Sequence, residues 1–451
     1  MPYPGEFAKH SSIRRLANSP LVQGLQDRCR ICLPEDEADL ESQRASLITD
    51  VPRTDWLPAW IIAIDGSHVE VPVRNGFPGA EISYLSVASV MINVERMRVL
   101  DEQRPVDPYS FNRLQETDAI DCALPGCNVV IDNDSSALES FRKQLFTTFS
   151  QSRMTADGES ILDTFEALLE YKPVSDQKCP NDDCPKQPPT YDLGQGAYNC
   201  TCDLARSLFS TDSLRIHEGM NPAGSNGAMF AEVSQVLEHV WLINILRTME
   251  QKGWLSSLKR ICFVIDGPLA IFGHPAWLSE SINKELGRLN AVARATNGID
   301  LLILGVEKTG FFLEHLFQLD VAQGRLVGPL SNQTTMLLTD AYIKRNIVFS
   351  ESNKPYGSQT YYGRKFLYKT ATGARIVGVL PFLNNGDEDL SRAETSQYPR
   401  LSDALNILDE LVSVRYPNAI LPIIAAHAEA AIPLNTGSRV LEQIARELLG
   451  A

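Results

Sequence analysis

Trp60-Ile61-Ile62-Ala63-Ile64-Asp65-Gly66-Ser67 is a run of five apolar residues closed by an aspartate and a glycine. A continuous apolar stretch of this length, ended by a turn signal, fits a strand buried on both faces and so a central place in a covered sheet. The pattern returns in Ile261-Cys262-Phe263-Val264-Ile265-Asp266-Gly267-Pro268. A third apolar run, Leu301-Leu302-Ile303-Leu304-Gly305-Val306, leads into Glu307-Lys308-Thr309-Gly310. After the first run Asn75-Gly76 signals a turn, and residues 80–93, rich in Val, Ile, Ser and Tyr, read as a strand folding back antiparallel. Over 229–250, Phe230, Val233, Leu237, Val240 and Ile243 or Leu246 share one helical stripe before Gly253, and 275–296 reads as a second helix. A hairpin followed by alternating strand and helix predicts a mixed α/β sheet flanked by helices, not a parallel barrel.

Around these runs the chain divides into an N-terminal helical region (1–55), a sheet domain (56–100 and 210–435), an inserted helical and Cys-bearing segment (101–209) and a C-terminal helix (436–451). The insertion is expected from irregular periodicity and from the cluster Pro173, Pro180, Pro185, Pro188 and Pro189. With 451 residues the chain exceeds one compact core. Its 44% hydrophobic and 22% charged residues exclude a largely disordered or collagen-like chain. A formal charge of -15, from 41 basic and 56 acidic side chains, argues against unspecific coating of nucleic acid. The most apolar stretch, 419–434, is broken by Pro422, His427, Glu429 and Pro433, so no membrane span is expected. The opening MPYPGEFAKHSS lacks an export pattern, which predicts a cytoplasmic location.

Nine cysteines in a reducing compartment point to metal binding or burial and not to a disulfide framework. Cys179-x4-Cys184 and Cys200-x-Cys202 fall in the Pro-rich stretch, where a structural Zn²⁺ would supply stability that a small core cannot. Their spacing departs from the usual two-residue knuckle, and Cys122-x4-Cys127 is an alternative contributor. Cys29-x2-Cys32 has knuckle spacing but no second pair nearby, and Cys262 reads as core.

Asp65 and Asp266 each end an apolar strand, where a side chain can face a crevice at the sheet margin. Adjacent carboxylates repel unless a cation neutralises them, and hard oxygen donors favour Mg²⁺ or Mn²⁺. Paired ions of this kind serve phosphodiester hydrolysis. The plainer alternative is that each Asp-Gly merely begins a turn. Glu238, beside the apolar stripe of the helix preceding the second Asp, is the third carboxylate; Glu218, Glu232 and Glu250 are its rivals. Residues 341–381 carry seven basic side chains, Lys344, Arg345, Lys354, Arg364, Lys365, Lys369 and Arg375, against the single acid Glu351. Seven aromatics interleave with them, Tyr368 included. Basic and aromatic side chains together suit a DNA track, in which Arg364, Lys365, Tyr368 and Lys369 would take part with Lys308. A twisted hairpin with aromatic cross-strand pairs is the alternative.

Ile64-Asp65-Gly66-Ser67, the segment Ser210-Thr211-Asp212-Ser213-Leu214-Arg215-Ile216-His217-Glu218, Ile265-Asp266-Gly267-Pro268-Leu269, Gly305-Val306-Glu307-Lys308-Thr309-Gly310 and Ala426-His427 together resemble a bacterial NurA-domain nuclease. The resemblance runs from about residue 56 to 433. It implies an RNase H-like fold in which acidic residues bind Mn²⁺ or Mg²⁺ and cut DNA, with a HerA-type hexameric ATPase as partner. It also implies that Asp65, Asp266 and His427 are catalytic, with Glu238 preferred over Glu218 as the helical acid. No Gly-x4-Gly-Lys-Ser/Thr occurs, so the motor would be a separate protein, and a ring-shaped partner favours a homodimer. DNA repair and antiphage defence are both compatible uses. The alternatives are a catalytically weak DNA-binding or regulatory subunit of the ATPase complex, and an RNA-directed enzyme of similar fold.

Overall fold

The computed structural model describes residues 10–26, 28–29, 40–73, 76–97, 115–172, 179–180, 184, 193–194, 196, 198–200, 207–321, 328–412 and 421–431. Besides a two-stranded antiparallel pair, Tyr198–Asn199 with Ser207–Leu208, its strands are those of the main sheet: β1 (Ile48–Thr49), β2 (Trp60–Pro72), β3 (Glu81–Asn93), β4 (Gln115–Pro125), β5 (Ile261–Asp266), β6 (Ile303–Glu307), β7 (Thr334–Leu337), β8 (Gly363–Lys369) and β9 (Arg375–Pro381). All join one sheet in the order β1-β7-β8-β9-β6-β5-β2-β3-β4. β5 runs parallel to both β2 and β6, and the remaining pairings are antiparallel. The sheet is therefore mixed, as the hairpin-then-alternation pattern predicts.

The helices are α1 (His10–Ala17), α2 (Pro20–Gln26), α3 (Leu40–Leu47), α4 (Ala137–Gln151), α5 (Ile161–Leu169), α6 (Gly227–Gln251), α7 (Leu278–Asn297), α8 (Phe311–Leu319), α9 (Asp340–Asn346), α10 (Leu401–Leu411) and α11 (Leu421–Ala430). Alternation along each strand assigns its side chains to two layers. Ile62, Ile64, Phe263 and Ile265 pack with Phe141 of α4, Phe165 of α5, Leu237 and Trp241 of α6 and Leu286 of α7. Ile61, Ala63, Cys262 and Val264 pack on the other face with Leu405 and Leu408 of α10 and Ile423 and Ala426 of α11. Both faces are covered, which is why β2 and β5 read as unbroken apolar runs. Full burial of each such Ile contributes roughly 1.5–3 kcal/mol. No helix among the described residues is long and apolar enough to cross a membrane.

The inserted segment 101–209 packs onto the sheet domain. Its strand β4 pairs with β3 from Ile92↔Gln115 to Ile82↔Pro125, and Phe141, Leu145, Phe149 and Phe165 enter the main core. Gln115-Glu116-Thr117-Asp118-Ala119-Ile120-Asp121 hides this in the sequence, because an edge strand can expose its polar residues. Region 1–55 carries α1, α2 and α3 and also β1, which pairs with β7 through Ile48↔Met336. The expected C-terminal helix, 436–451, and Asn75 of the expected turn lie outside the described residues.

Candidate active site

β2 and β5 pair in parallel register up to Ile64↔Ile265. The next residue on each strand is an aspartate, so Asp65 and Asp266 sit side by side where β5 ends. β2 continues to Pro72 against β3 alone. The strands thus open a notch at this point, and Gly267, at φ 121°, turns the chain away in a conformation that suits glycine. Asp65 is buried, its Oδ1 accepts from the Gly66 N–H at 2.9 Å, and its Oδ2 lies 2.9 Å from His427 Nδ1. Asp266 Oδ2 lies 2.9 Å from Lys308 Nζ, which the turn after β6 supplies.

Glu238 reaches the same place from α6, on the opposite layer. A Cβ added at Gly66 would collide with Glu238 Oε1 and stand 2.8 Å from Ser234 Oγ. Gly66 is therefore the gap through which the helical carboxylate approaches β2. Ser234 Oγ lies 3.4 Å from Glu238 Oε1, one turn earlier on the helix. Burial, then the charges of Asp65 and Asp266, push the Glu238 carboxyl up to about 8. Burial and the neighbouring Asp266 likewise raise Asp65, against the hydrogen bond from His427. A set of acids that resist ionising together is the electrostatic condition that a divalent cation relieves.

The rival acids are engaged elsewhere. Glu218 pairs with Arg215 at 2.6 Å, Glu232 with His274 at 3.1 Å and Glu250 with Arg288 at 2.7 Å. His427 stands on α11 with its side chain 63% exposed, and Ser67 Oγ donates to the Ala430 carbonyl, which holds the end of this helix on β2. With Asp65 as acceptor, Nδ1 of His427 carries the proton and Nε2 is left for other partners.

The basic and aromatic segment includes β8. β8 is buried along its whole length between β7 and β9. Lys369 and Arg375 share Asp320, at 3.0 and 2.6 Å. Lys365 pairs with Glu307. Arg364 donates to the carbonyls of Asp387, at 3.1 Å, and Arg392, at 2.6 Å. The Tyr368 hydroxyl donates to Asp409 Oδ1 at 2.8 Å. A cation taken into a protein interior needs such partners, and the carboxylates that provide them come from far along the chain. Arg364, Lys365, Tyr368 and Lys369 are therefore buried and paired within the protein, where they brace the sheet. Lys308 alone of that set stands at the carboxylates.

Cys179, Cys184 and Cys200 offer sulfurs that all lie within 4.8 Å of one another, and among the described residues they are the only acidic, Cys or His trio to do so. The three carboxylates of the notch do not all lie that close to one another. Cys184 and Cys200 are 3.9 Å apart, sulfur to sulfur. Cys202 and Cys32 lie outside the described residues. Cys262 is core, and burial pushes its thiol up to about 12.

A NurA domain model matches residues 60–432. The chain belongs to the NurA domain family. Two solved structures are similar at 10% identity, each with 98% of both chains covered: the NurA nuclease from Sulfolobus solfataricus, at a TM-score of 0.32, and a second NurA, at 0.29. No curated protein matches. The NurA match takes in Asp65, Glu238, Asp266, Lys308 and His427 together.

A pH dependence follows from Glu238. Its carboxyl loses the proton near 4.5 when unfolded and near 8 when folded, so the folded protein holds an extra proton between those values. Stability of the metal-free protein should then fall as pH rises from about 5 to 8. The difference in melting temperature between the parent and Glu238→Gln across that window measures it: the variant gains on the parent as pH rises, and parallel curves contradict the shift.

Proposed function

We propose that this NurA-family protein is a metal-dependent DNA nuclease that hydrolyses phosphodiesters at the notch between β2 and β5. What supports it most is the convergence of Asp65, Glu238, Asp266 and His427 from four separate elements on one desolvated acidic cluster. The donor set fits Mn²⁺ or Mg²⁺, because all three acids offer hard oxygens, and burial with neighbouring negative charge raises the carboxyls of Asp65 and Glu238. Asp65, Glu238 and Asp266 would hold the ions. When bound, such ions lower the pKa of water and neutralise charge that develops on phosphate.

Hydrolysis adds water across a P–O bond, so the attacking water loses a proton and the leaving sugar oxygen gains one. His427 suits the second transfer in its doubly protonated form: Asp65 fixes the ring through Nδ1–H, Nε2–H gives its proton to the leaving oxygen, and the proton released by the attacking water restores it through solvent. Lys308 neutralises Asp266 and can turn its ammonium to a non-bridging phosphate oxygen. The strand order β4-β3-β2-β5-β6, with β2 and β5 parallel at the acids, agrees with an RNase H-like core.

The same reading gives the protein a HerA-type hexameric ATPase as motor, a homodimeric state to meet that ring and a cytoplasmic role in DNA end processing or antiphage defence. Its test is degradation of linear DNA in Mn²⁺, alone and with a HerA-type ATPase. DNA binding or ATPase binding without degradation under both conditions would make the chain a regulatory subunit instead.

A structural Zn²⁺ at Cys179, Cys184 and Cys200 belongs to the same proposal, supported by the approach of their sulfurs. Metal analysis of the purified chain should find about one zinc per molecule, lost in Cys184→Ser. Equal zinc in parent and variant rejects the site.

A further inference from the structure

The loop after Asp266 carries an aromatic ring to the surface beside α6. Leu269, Ala270 and Ile271 are buried, and Phe272 then emerges 40% exposed. Its backbone N–H donates to Gln235 Oε1 at 2.8 Å. Gln235 precedes Glu238 by three residues on α6, which is about 4.5 Å along the helix axis. The Phe272 backbone is therefore tied to the helix that carries Glu238, at a residue one turn before it.

The ring is also backed. Its centroid lies 5.7 Å from that of Tyr361 at 83°, Tyr361 lies 5.7 Å from Tyr356, and Tyr356 lies 5.6 Å from Phe312. Lys365 Nζ stands 4.0 Å from the Phe312 centroid and 4.9 Å from that of Tyr361, which adds a cation to the inner rings. Backbone bonds from Ile271 to Thr360 and from Tyr362 to Leu269, at 2.8 and 3.0 Å, fix this row to the loop. The inner rings are packed and the outermost one meets solvent, so the platform is preformed and little ordering is needed to use it.

A nucleobase matches this platform if it is unpaired. Within a duplex each base already stacks on its neighbours, whereas a single strand offers a free π-face, and stacking on an aromatic side chain tolerates any sequence. We infer that Phe272, backed by Tyr361, stacks on an unpaired base beside the phosphate held at the notch, and so favours single-stranded or frayed DNA over closed duplex. This rests on the nuclease reading for the phosphate but not for the stacking.

Two measurements on the full chain separate the claims. Fluorescence anisotropy in EDTA, where nothing is cut, compares a short oligothymidine with a blunt hairpin duplex. Phe272→Ala should weaken oligothymidine binding about tenfold and change the duplex by less than about twofold, and Phe272→Trp should restore it. An oligomer of abasic sugars should bind parent and Phe272→Ala alike. No loss on oligothymidine, an equal loss on both DNAs or no binding of oligothymidine by the parent overturns the inference. In Mn²⁺ the ratio of single-strand to duplex cleavage should fall in step; if binding depends on Phe272 yet neither DNA is cut, the nuclease reading fails and the stacking surface stands.

Discussion

Asp65→Ala and Asp266→Ala should each lower DNA hydrolysis in Mn²⁺ by about a thousandfold or more while leaving a folded protein. The two side chains follow the last parallel pair of β2 and β5 and so share the ions in the proposed mechanism. Removing either takes an oxygen donor from each ion it holds and leaves the remaining acids to bind weakly. The fold should tolerate the loss because burial and the charge of Asp266 oppose ionisation of Asp65, so the pair contributes little to metal-free stability. Asp65→Ala gives up its bonds to Gly66 and His427, and Asp266→Ala frees Lys308, whose side chain is already 31% exposed. Asp320→Asn is the informative contrast: it weakens the buried bridge to Lys369 and Arg375 and should lower the melting temperature far more than it lowers chemistry per folded molecule. Undiminished hydrolysis by either aspartate variant removes the site assignment.

Gly66→Ala should cost roughly a hundredfold in hydrolysis through one added methyl group. That methyl would occupy the path of Glu238 Oε1, and the contact with Ser234 Oγ leaves no second way past β2. Glu238 must then withdraw, and a carboxylate displaced by about an ångström no longer closes the cluster. Gly287→Ala makes the same chemical change in α7 where an added Cβ meets nothing within 4 Å, so its activity should be unchanged and its stability equal or higher. Gly66→Ala combined with Glu238→Ala should be no worse than Glu238→Ala alone, since both act through one carboxylate. Additive losses would show that Gly66 matters for another reason.

The frame of the sheet was legible because its central strands are buried on both faces. Ile61 to Ile64 and Cys262 to Ile265 alternate between two helical layers, and that demand leaves an unbroken apolar run in the sequence. The helix expected over 229–250 spans Gly227–Gln251, and the strand expected over 301–306 is Ile303–Glu307, offset at its start. β4 was hidden because its edge position lets acids and polar residues stand in solvent. The partners of the basic residues of β8 were hidden for a different reason: a sequence shows Lys369 and Arg364 but not Asp320 or the Arg392 carbonyl that satisfies them from other parts of the chain. Gly66 was the missed signal for Glu238. Read along the chain it ends a strand, yet its φ is not in the left-handed region, and its small size serves close approach instead of a turn.

Crystals grown with Mn²⁺ and examined at a wavelength sensitive to manganese give the most direct test of the whole account. Anomalous peaks should lie about 2.0–2.3 Å from carboxylate oxygens of Asp65, Glu238 and Asp266. Manganese bound elsewhere, or a notch that stays without a peak at saturating Mn²⁺, would contradict it.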